Sequence, residues 1–333
     1  MAFIDVQIAK ITDKSTRIVY PEGTDLNILR GAARVVEAGF GRPVLIGERD
    51  NIEAAAAEAD VSLDGIETVS ALETERREKY AAIFAEQSGL PVMAASLMLK
   101  KPLYFGAMMV KAGDADCMVA GVSTETDEVV ATYKLIIGMS KGVETPSCFS
   151  IQEVPHYDGP HGHLVAFSDT AINIAPTSEE LADIAISSAR SIRAILGWEP
   201  RIAMLSFSTC GSASHERAAL VARAVEIARE REPDLMVDGE FQLDAAIIPE
   251  VAARKVKRPS EVAGRANVLV FPNLDASNIG VKLLQRLGGA KPTGGMLQGF
   301  SKPVSDMSRG AGAEDVLRAS VMLTRLFQSG VNQ

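Results

Sequence analysis

The stretch Arg201-Ile-Ala-Met-Leu-Ser-Phe207, followed by Ser208-Thr-Cys-Gly-Ser-Ala-Ser214 and then by His215 to Arg231, decides the fold class. The apolar run Ile202 to Phe207 reads as a buried strand. The hydroxyl-rich segment reads as a turn, and the rest as a helix with apolar residues three and four apart. Outward from it the same alternation recurs. Arg17 to Tyr20, Pro43 to Ile46, Asp116 to Ala120, Leu164 to Phe167, Leu235 to Val237 and Val268 to Phe271 read as strands. Leu26 to Ala38, Thr126 to Ile137 and Glu179 to Leu196 read as helices, the last closed by Gly197. Short strands alternating with helices of this length give parallel-rich sheets covered on both faces, so the class is α/β. Ala54 to Leu99 reads as helical throughout, a cover on the first of two domains. The boundary is expected at Gly138 to Thr145, where Gly, Ser, Lys and Pro cluster. Gln152 to His163 reads as an exposed loop or hairpin beyond it.

Composition narrows the function. A chain of 333 residues, 47% hydrophobic and 23% charged, is a soluble globular type with room for two cores. Its net charge of −9 provides no global basic field, so nucleic acid is not an expected partner, and a phosphorylated ligand must be held by local groups. Cys117, Cys148 and Cys210 have no CxxC spacing and indicate neither a disulfide framework nor structural zinc. Met1 to Asp13 lacks the pattern of a signal peptide and no apolar run approaches about 20 residues, so no membrane is expected and the address is cytoplasmic by default.

Three stretches could carry chemistry. Ser206, Ser208, Thr209, Gly211 and Ser212 lie between a strand and a helix, where hydroxyls and backbone N–H groups can meet an anion. An ordinary helix cap is the competing use. Lys302-Pro-Val-Ser-Asp-Met-Ser-Arg-Gly310 places the Ser308 hydroxyl beside the Arg309 guanidinium, a pair suited to phosphate oxygens or a developing oxyanion. Asp315 could cap the final helix, Val316 to Phe327. Asn278, Lys282 and Arg286 follow a strand and share a helix face, as ligand groups do and as a plain surface helix also would. His156, His161 and His163 lack a fourth ligand at a known spacing, so no metal is assigned. Asp238, Glu240 and Asp244 lie near a strand end, where caps and turn bonds are the commoner uses.

Taken together, Pro21-Glu-Gly23, Tyr104 to Val110, Gly113 to Asp116, Ala203 to Thr209, Asp238-Gly-Glu240, Asp244-Ala-Ala246, Phe271 to Leu274, Asn278-Ile-Gly280 and Lys302 to Gly310 resemble the phosphate acetyltransferase (phosphotransacetylase) family, in order and spacing, from about residue 17 to 330. The resemblance implies interconversion of acetyl-CoA, or another short acyl-CoA, plus phosphate with acyl phosphate plus free CoA. CoA enters as a substrate and no cofactor is bound. It also implies two α/β domains of isocitrate/isopropylmalate dehydrogenase-like architecture with a cleft between them, 1–140 with 299–333 and 141–298, in a homodimer. By motif, Ser308 and Arg309 become the Ser-Arg pair of the site and Asp315 its catalytic acid–base group. Arg286 matches a family arginine. Ser206, Ser208, Thr209, Gly211, Ser212, Asn278, Lys282 and Thr126 become substrate-binding.

The sequence departs from the family where first-domain arginines are usual: Asn27, Val130–Ala131 and Ala85-Glu86-Gln87 stand there, and Cys210 stands for a lysine. Arg30 and Lys134 are candidate substitutes. The alternative is a non-catalytic acyl-CoA-sensing module related to the C-terminal domain of malic enzymes. The intact Ser308, Arg309 and Asp315 argue against it, as does a chain beginning at Met1 with no fused enzyme. A metal-dependent dehydrogenase lacks both a carboxylate metal cluster and a nucleotide fingerprint.

Overall fold

The computed structural model describes residues 3–331 and divides into two compact units, one running to Lys141 and resuming at Gly295, the other Gly142–Gly294. The first unit opens with α1 (Phe3–Ala9), β1 (Arg17–Tyr20), α2 (Leu26–Ala38), β2 (Arg42–Ile46), α3 (Arg49–Ala59), β3 (Glu67–Val69), α4 (Thr74–Ser88), α5 (Val92–Met98), α6 (Pro102–Ala112), β4 (Cys117–Ala120) and α7 (Thr126–Ile136). The second holds β5 (Ser147–Glu153), β6 (Leu164–Ser168), α8 (Ser178–Leu196), β7 (Ile202–Leu205), α9 (Glu216–Arg231), β8 (Val237–Phe241), α10 (Leu243–Ile247), α11 (Pro249–Lys255), β9 (Val268–Val270) and α12 (Leu274–Arg286). The chain returns through β10 (Lys291–Gln298), β11 (Val304–Asp306) and α13 (Ala313–Gln328).

In the first unit the strand order is β3-β2-β1-β4-β11-β10, parallel except for the β10–β11 hairpin. Apolar strand residues such as Ile18, Val19, Val44, Met118 and Val119 are fully buried, as covering helices on both faces require. Helix ends follow the local sequence. Asp25 caps α2 by accepting from the Asn27 and Ile28 N–H groups, and Gly39 ends that helix in the left-handed conformation. Gly31 lets α2 lie directly on α13, since a Cβ there would come within 2.5 Å of Val316.

In the second unit the order is β5-β6-β9-β7-β8, with β5 and β6 an antiparallel hairpin and the rest parallel. Helix α8 starts at a capping box between Thr177 and Glu180 and ends at Gly197. Asp183, buried on α8, accepts from the N–H groups of Glu144 and Thr145 and pairs with Arg231 at 2.6 Å, which fixes the first residues of this unit.

Several sequence expectations are corrected. The region 54–99 is not continuously helical, because β3 pairs in register with β2 at the sheet edge. The strand expected at Leu235 to Val237 begins at Val237 and runs on to Phe241. The N-terminal segment forms α1, with Met1 and Ala2 outside the described residues. The glycine-rich stretch before Lys302 contributes β10, whose Met296, Leu297 and Gln298 are buried.

Candidate active site

In open parallel sheets ligands bind beyond the carboxyl ends of strands, where the strand order reverses direction. The first unit reverses between β1 and β4, since β2 and β3 extend to one side of β1 and β4 lies on the other. Glu22, just past β1, occupies that point. Its Oε1 accepts from the N–H and hydroxyl of both Ser123 and Thr124, and its Oε2 from the Val122 N–H, at 2.8–3.1 Å. The β4–α7 loop is thus ordered around a carboxylate of the chain itself.

The next strand over, β11, ends at Asp306. Thr126, the first residue of α7, donates its hydroxyl to Asp306 Oδ2 at 2.7 Å. Gly121 covers the other oxygen: a Cβ at this position, whose φ is +103°, would lie 2.3 Å from Oδ1. That Oδ1 is buried and has no hydrogen-bond partner among the described residues. Burial first, and then the charge of Glu22, push the Asp306 carboxyl up to about 6, against the Thr126 bond that lowers it.

Beyond Asp306 the chain turns outward. Ser308 and Arg309 are exposed; the Ser308 hydroxyl accepts only a long bond from the Gly310 N–H at 3.4 Å. The Arg309 guanidinium is 72% exposed and lies 3.9 Å from Glu125, so it remains available to an anion. Asp315 is half-buried at the start of α13, where its Oδ2 accepts from the Gly312 N–H at 3.0 Å. It caps the helix, as the sequence allowed, and no protein donor among the described residues engages its second oxygen.

The second unit reverses between β7 and β9. The loop after β7 is the hydroxyl-rich segment, and its bonds are largely internal. Ser208 and Gly211 donate to Glu240 Oε1 at 2.7 and 2.8 Å, and Cys210 N–H donates to the Glu240 carbonyl. Thr209 N–H donates to Ser212 Oγ, Ala213 N–H to Ser208 Oγ, and Ser208 N–H to Ser206 Oγ. A buried glutamate therefore occupies the N–H cluster in which an external anion was expected. Of the proposed binding residues here, Ser208 and Thr209 are buried, Ser206 is half-buried, and Gly211 and Ser212 are exposed. An open depression of about 570 Å³ borders the loop, lined by Gly211, Ser214, His215, Ala219 and Glu240 among others.

Two further carboxylates near β8 are structural. Asp238 is buried and, against the cost of its burial, is held below the usual carboxylate range by Arg258, Ser260 and the Gly239 N–H; Arg229 adds a contact at 2.8 Å. Asp244 accepts from the Ala245 N–H and pairs with Lys255 at 2.8 Å. Cys210 is no substitute for a lysine: burial raises its thiol pKa despite Arg258, which keeps it neutral near pH 7.

After β9, Asn278, Lys282 and Arg286 follow one another a turn apart on α12. All three are exposed and free of hydrogen bonds to the described residues. The histidines are used locally: His161 stacks on Trp198 and contacts Asn267, and His163 contacts the Tyr157 carbonyl. At the positions where the resemblance led arginine to be expected, Asn27 is half-buried in the first turn of α2 and Ala131 is exposed on α7. Gln87 instead caps the α7 carbonyls of Leu135 and Ile136. Arg30 donates to the Ala59 carbonyl and is held toward α3, whereas Lys134 stays exposed. Sequence reasoning gave Glu240 the turn-bonding use that it has here, quoted Glu22 inside a motif without a role, and missed Asp306. A carboxylate at or near a strand end, beside a loop rich in N–H and hydroxyl donors, is the signal that would have singled out Glu22 and Glu240.

Comparison with known proteins adds to this geometry. Residues 2–324 match the family model described as phosphate acetyl/butaryl transferase. The chain is 43% identical over 321 residues to a phosphate acetyltransferase of Thermoanaerobacterium thermosaccharolyticum, covering 95% of this chain and 97% of that one. The crystal structure of a phosphotransacetylase from Streptococcus pyogenes superposes with a TM-score of 0.90 at 36% identity, covering 99% of each chain. A chain described as a 4-hydroxythreonine-4-phosphate dehydrogenase from Salmonella typhimurium shares the fold alone, with a TM-score of 0.57 at 12% identity over 94% of this chain and 100% of that one.

Proposed function

We infer the roles of individual side chains from one premise: the chain belongs to the phosphate acetyl/butaryl transferase family. It is an acyltransferase, and its reaction interconverts acetyl-CoA plus phosphate with acetyl phosphate plus CoA. The sensing-module alternative has no observation in its favour.

A CoA thiol, with a pKa near 8.5 for a free thiol, is mostly protonated at neutral pH, while the thiolate is the nucleophile. In our reading Asp315 accepts that proton through the carboxylate oxygen that does not cap α13. The thiolate attacks the acetyl carbonyl of acetyl phosphate directly, the C–S bond forms, and phosphate leaves with the electrons of the C–O bond. Charge gathering on the carbonyl oxygen is met by Arg309 and the Ser308 hydroxyl. In reverse, phosphate attacks the thioester. The observation that carries these roles is the exposed, weakly engaged Ser308–Arg309 pair at the end of β11, at the carboxyl edge of the sheet.

Asn278, Lys282 and Arg286 are assigned to the anionic part of CoA, because they form an unengaged polar row on α12. Thr126, Ser206, Ser208, Thr209, Gly211 and Ser212 are given support of the bound substrate, the last five chiefly through the rigid loop that Glu240 organises. The protein is proposed to be a homodimer: beside that polar row, Ile279, Leu283 and Leu287 form an apolar one with 58%, 53% and 82% exposure. A cytoplasmic location is proposed because all three cysteines are free, one of them exposed, as a reducing compartment permits. No described helix is long and apolar enough to cross a membrane.

Phosphate-dependent release of CoA from acetyl-, propionyl- and butyryl-CoA, with light scattering on the same sample, tests the whole reading. Turnover is expected with at least the acetyl ester, at dimer mass. Binding of acetyl-CoA without phosphate-dependent release would sink the enzymatic roles, and a monomer mass would sink the dimer.

A further inference from the structure

We propose that Asp306 is a positioning residue for the Ser308–Arg309 turn, a latch that ties the end of β11 to the β4–α7 loop. The inference rests on the roles proposed above for Ser308 and Arg309.

The geometry makes Asp306 the meeting point of the two loops. It is 6% exposed and pairs in register with Ala120, the last residue of β4. The following N–H, of Met307, donates to the Ala120 carbonyl at 2.7 Å, so the strand pairing continues one step beyond Asp306 before the chain departs. The side chain then closes the gap from the other direction. Thr126 donates to Oδ2, and Gly121 lies so close to Oδ1 that no side chain fits between them. Ser308 follows two residues later, its carbonyl closing the turn onto the Ala311 N–H and its hydroxyl almost unengaged. Its direction is set by where Asp306 is held.

The latch is linked to a proton. Among the described residues no cation is paired with Asp306, and the Arg309 guanidinium, three residues on, lies toward Glu125. Glu22 faces it from the end of β1, already accepting five hydrogen bonds. Tyr133 of α7, neutral and fully buried, donates its hydroxyl to the Ser305 carbonyl. Cys117 on β4 is kept neutral by burial, Asp315 on α13 turns an oxygen onto Gly312, and Gly295–Gln298 of β10 bring no titratable group. Burial and Glu22 therefore raise the Asp306 carboxyl to about 6. Neutral Asp306 can keep the Thr126 bond on one oxygen without placing a buried anion beside the half-buried Glu22. As pH rises through about 6, the proton leaves and that anion forms next to the turn that must receive phosphate. The Thr126 bond holds Asp306 in either state and favours the carboxylate, so the proton is linked to the arriving anion: phosphate beside the turn favours proton uptake.

Three variants separate position from charge. Asp306→Asn keeps an acceptor for Thr126 and cannot ionise, whereas Asp306→Ala and Thr126→Val break the bond. In hydrogen exchange, the amides of 121–126 and 307–310 should exchange faster in the Ala and Val variants and as in wild type in the Asn variant. In steady-state assays the Ala and Val variants should lose kcat by about tenfold with the KM for CoA little changed. The ratio of kcat/KM for phosphate, Asp306→Asn over wild type, cancels substrate ionisation and should rise about threefold or more from pH 5.5 to 7.5. A flat ratio overturns the link between the Asp306 proton and phosphate, and wild-type exchange and kcat in Asp306→Ala overturn the latch. If Asp306→Ala does not fold, Thr126→Val and Asp306→Asn still decide. Wild-type protein without phosphate-dependent turnover, but with the expected exchange pattern, would refute the functional reading while leaving the latch standing.

Discussion

Asp315 has two duties at the residue scale, and a substitution can divide them. As the third residue of α13 it caps the helix through one oxygen, and Asn retains an oxygen for that bond. Asp315→Asn should therefore fold with little change in melting temperature. As the proposed base it should lose turnover by about 10²–10⁴-fold, while CoA binding falls little. The loss should shrink as pH approaches the thiol's own ionisation, because a thiolate already formed needs no base. Turnover across pH 6.5 to 9, with a thermal melt alongside, is the measurement; a folded variant with unchanged kcat would remove Asp315 from the proton transfer. Residues of this kind are legible in a sequence because hydroxyl, guanidinium and carboxylate recur in a fixed motif. Asp306 is not, although it belongs to the same motif. Its significance comes from burial and from Thr126, which no local pattern connects to it.

At the scale of the element, both units treat the loop after a sheet-reversal strand alike: a glutamate from the neighbouring strand end accepts the loop's N–H groups. In the second unit Ser208 and Gly211 share one oxygen, Oε1 of Glu240. Gln keeps such an oxygen, so Glu240→Gln should melt within a few degrees of wild type. Glu240→Ala strands the buried Ser208 hydroxyl and opens the exposed Gly211 N–H to water, and should cost about 1.5–3 kcal/mol, chiefly from the Ser208 bond to a charged acceptor. Chemical unfolding of the two variants checks this, and equal stability would mean that the loop is held by its Ser212 and Ser206 bonds instead. The same scale explains which elements could be read in advance. β4 and β7 are wholly buried apolar runs next to strongly periodic helices. β3 is three residues with an exposed end, too short to carry a period. β10 contains Gly294 and Gly295, which read as a turn until β11 pairs with Met296 and Leu297. β5 contains Ser147, Ser150 and Gln152, polar residues that only tertiary contacts make acceptable in a buried strand.

Over the whole molecule, a chain of net charge −9 must bind CoA, a polyanion, with phosphate or acetyl phosphate. Its average field opposes both, and at about 0.1 M salt that field decays within about 10 Å. Binding therefore depends on short-range contacts, and Arg309, Lys282 and Arg286, exposed and without tight partners, are among the cations free to make them. Two positions where the resemblance implies an arginine are open to one: Ala131 is exposed on α7, and Asn27 is half-buried in the first turn of α2. The KM for CoA should rise with salt, because contact ion pairs weaken as counterions compete. Asn27→Arg and Ala131→Arg should each lower that KM, by about two- to fivefold at low salt, with a steeper salt dependence than wild type. Their kcat should change little, since neither residue is assigned to the reacting atoms. Initial rates against CoA at 20 to 300 mM salt decide the matter. If neither arginine tightens CoA binding, other groups have taken over from the missing cations, and the exposed Lys134 one turn from Val130 is the first to substitute.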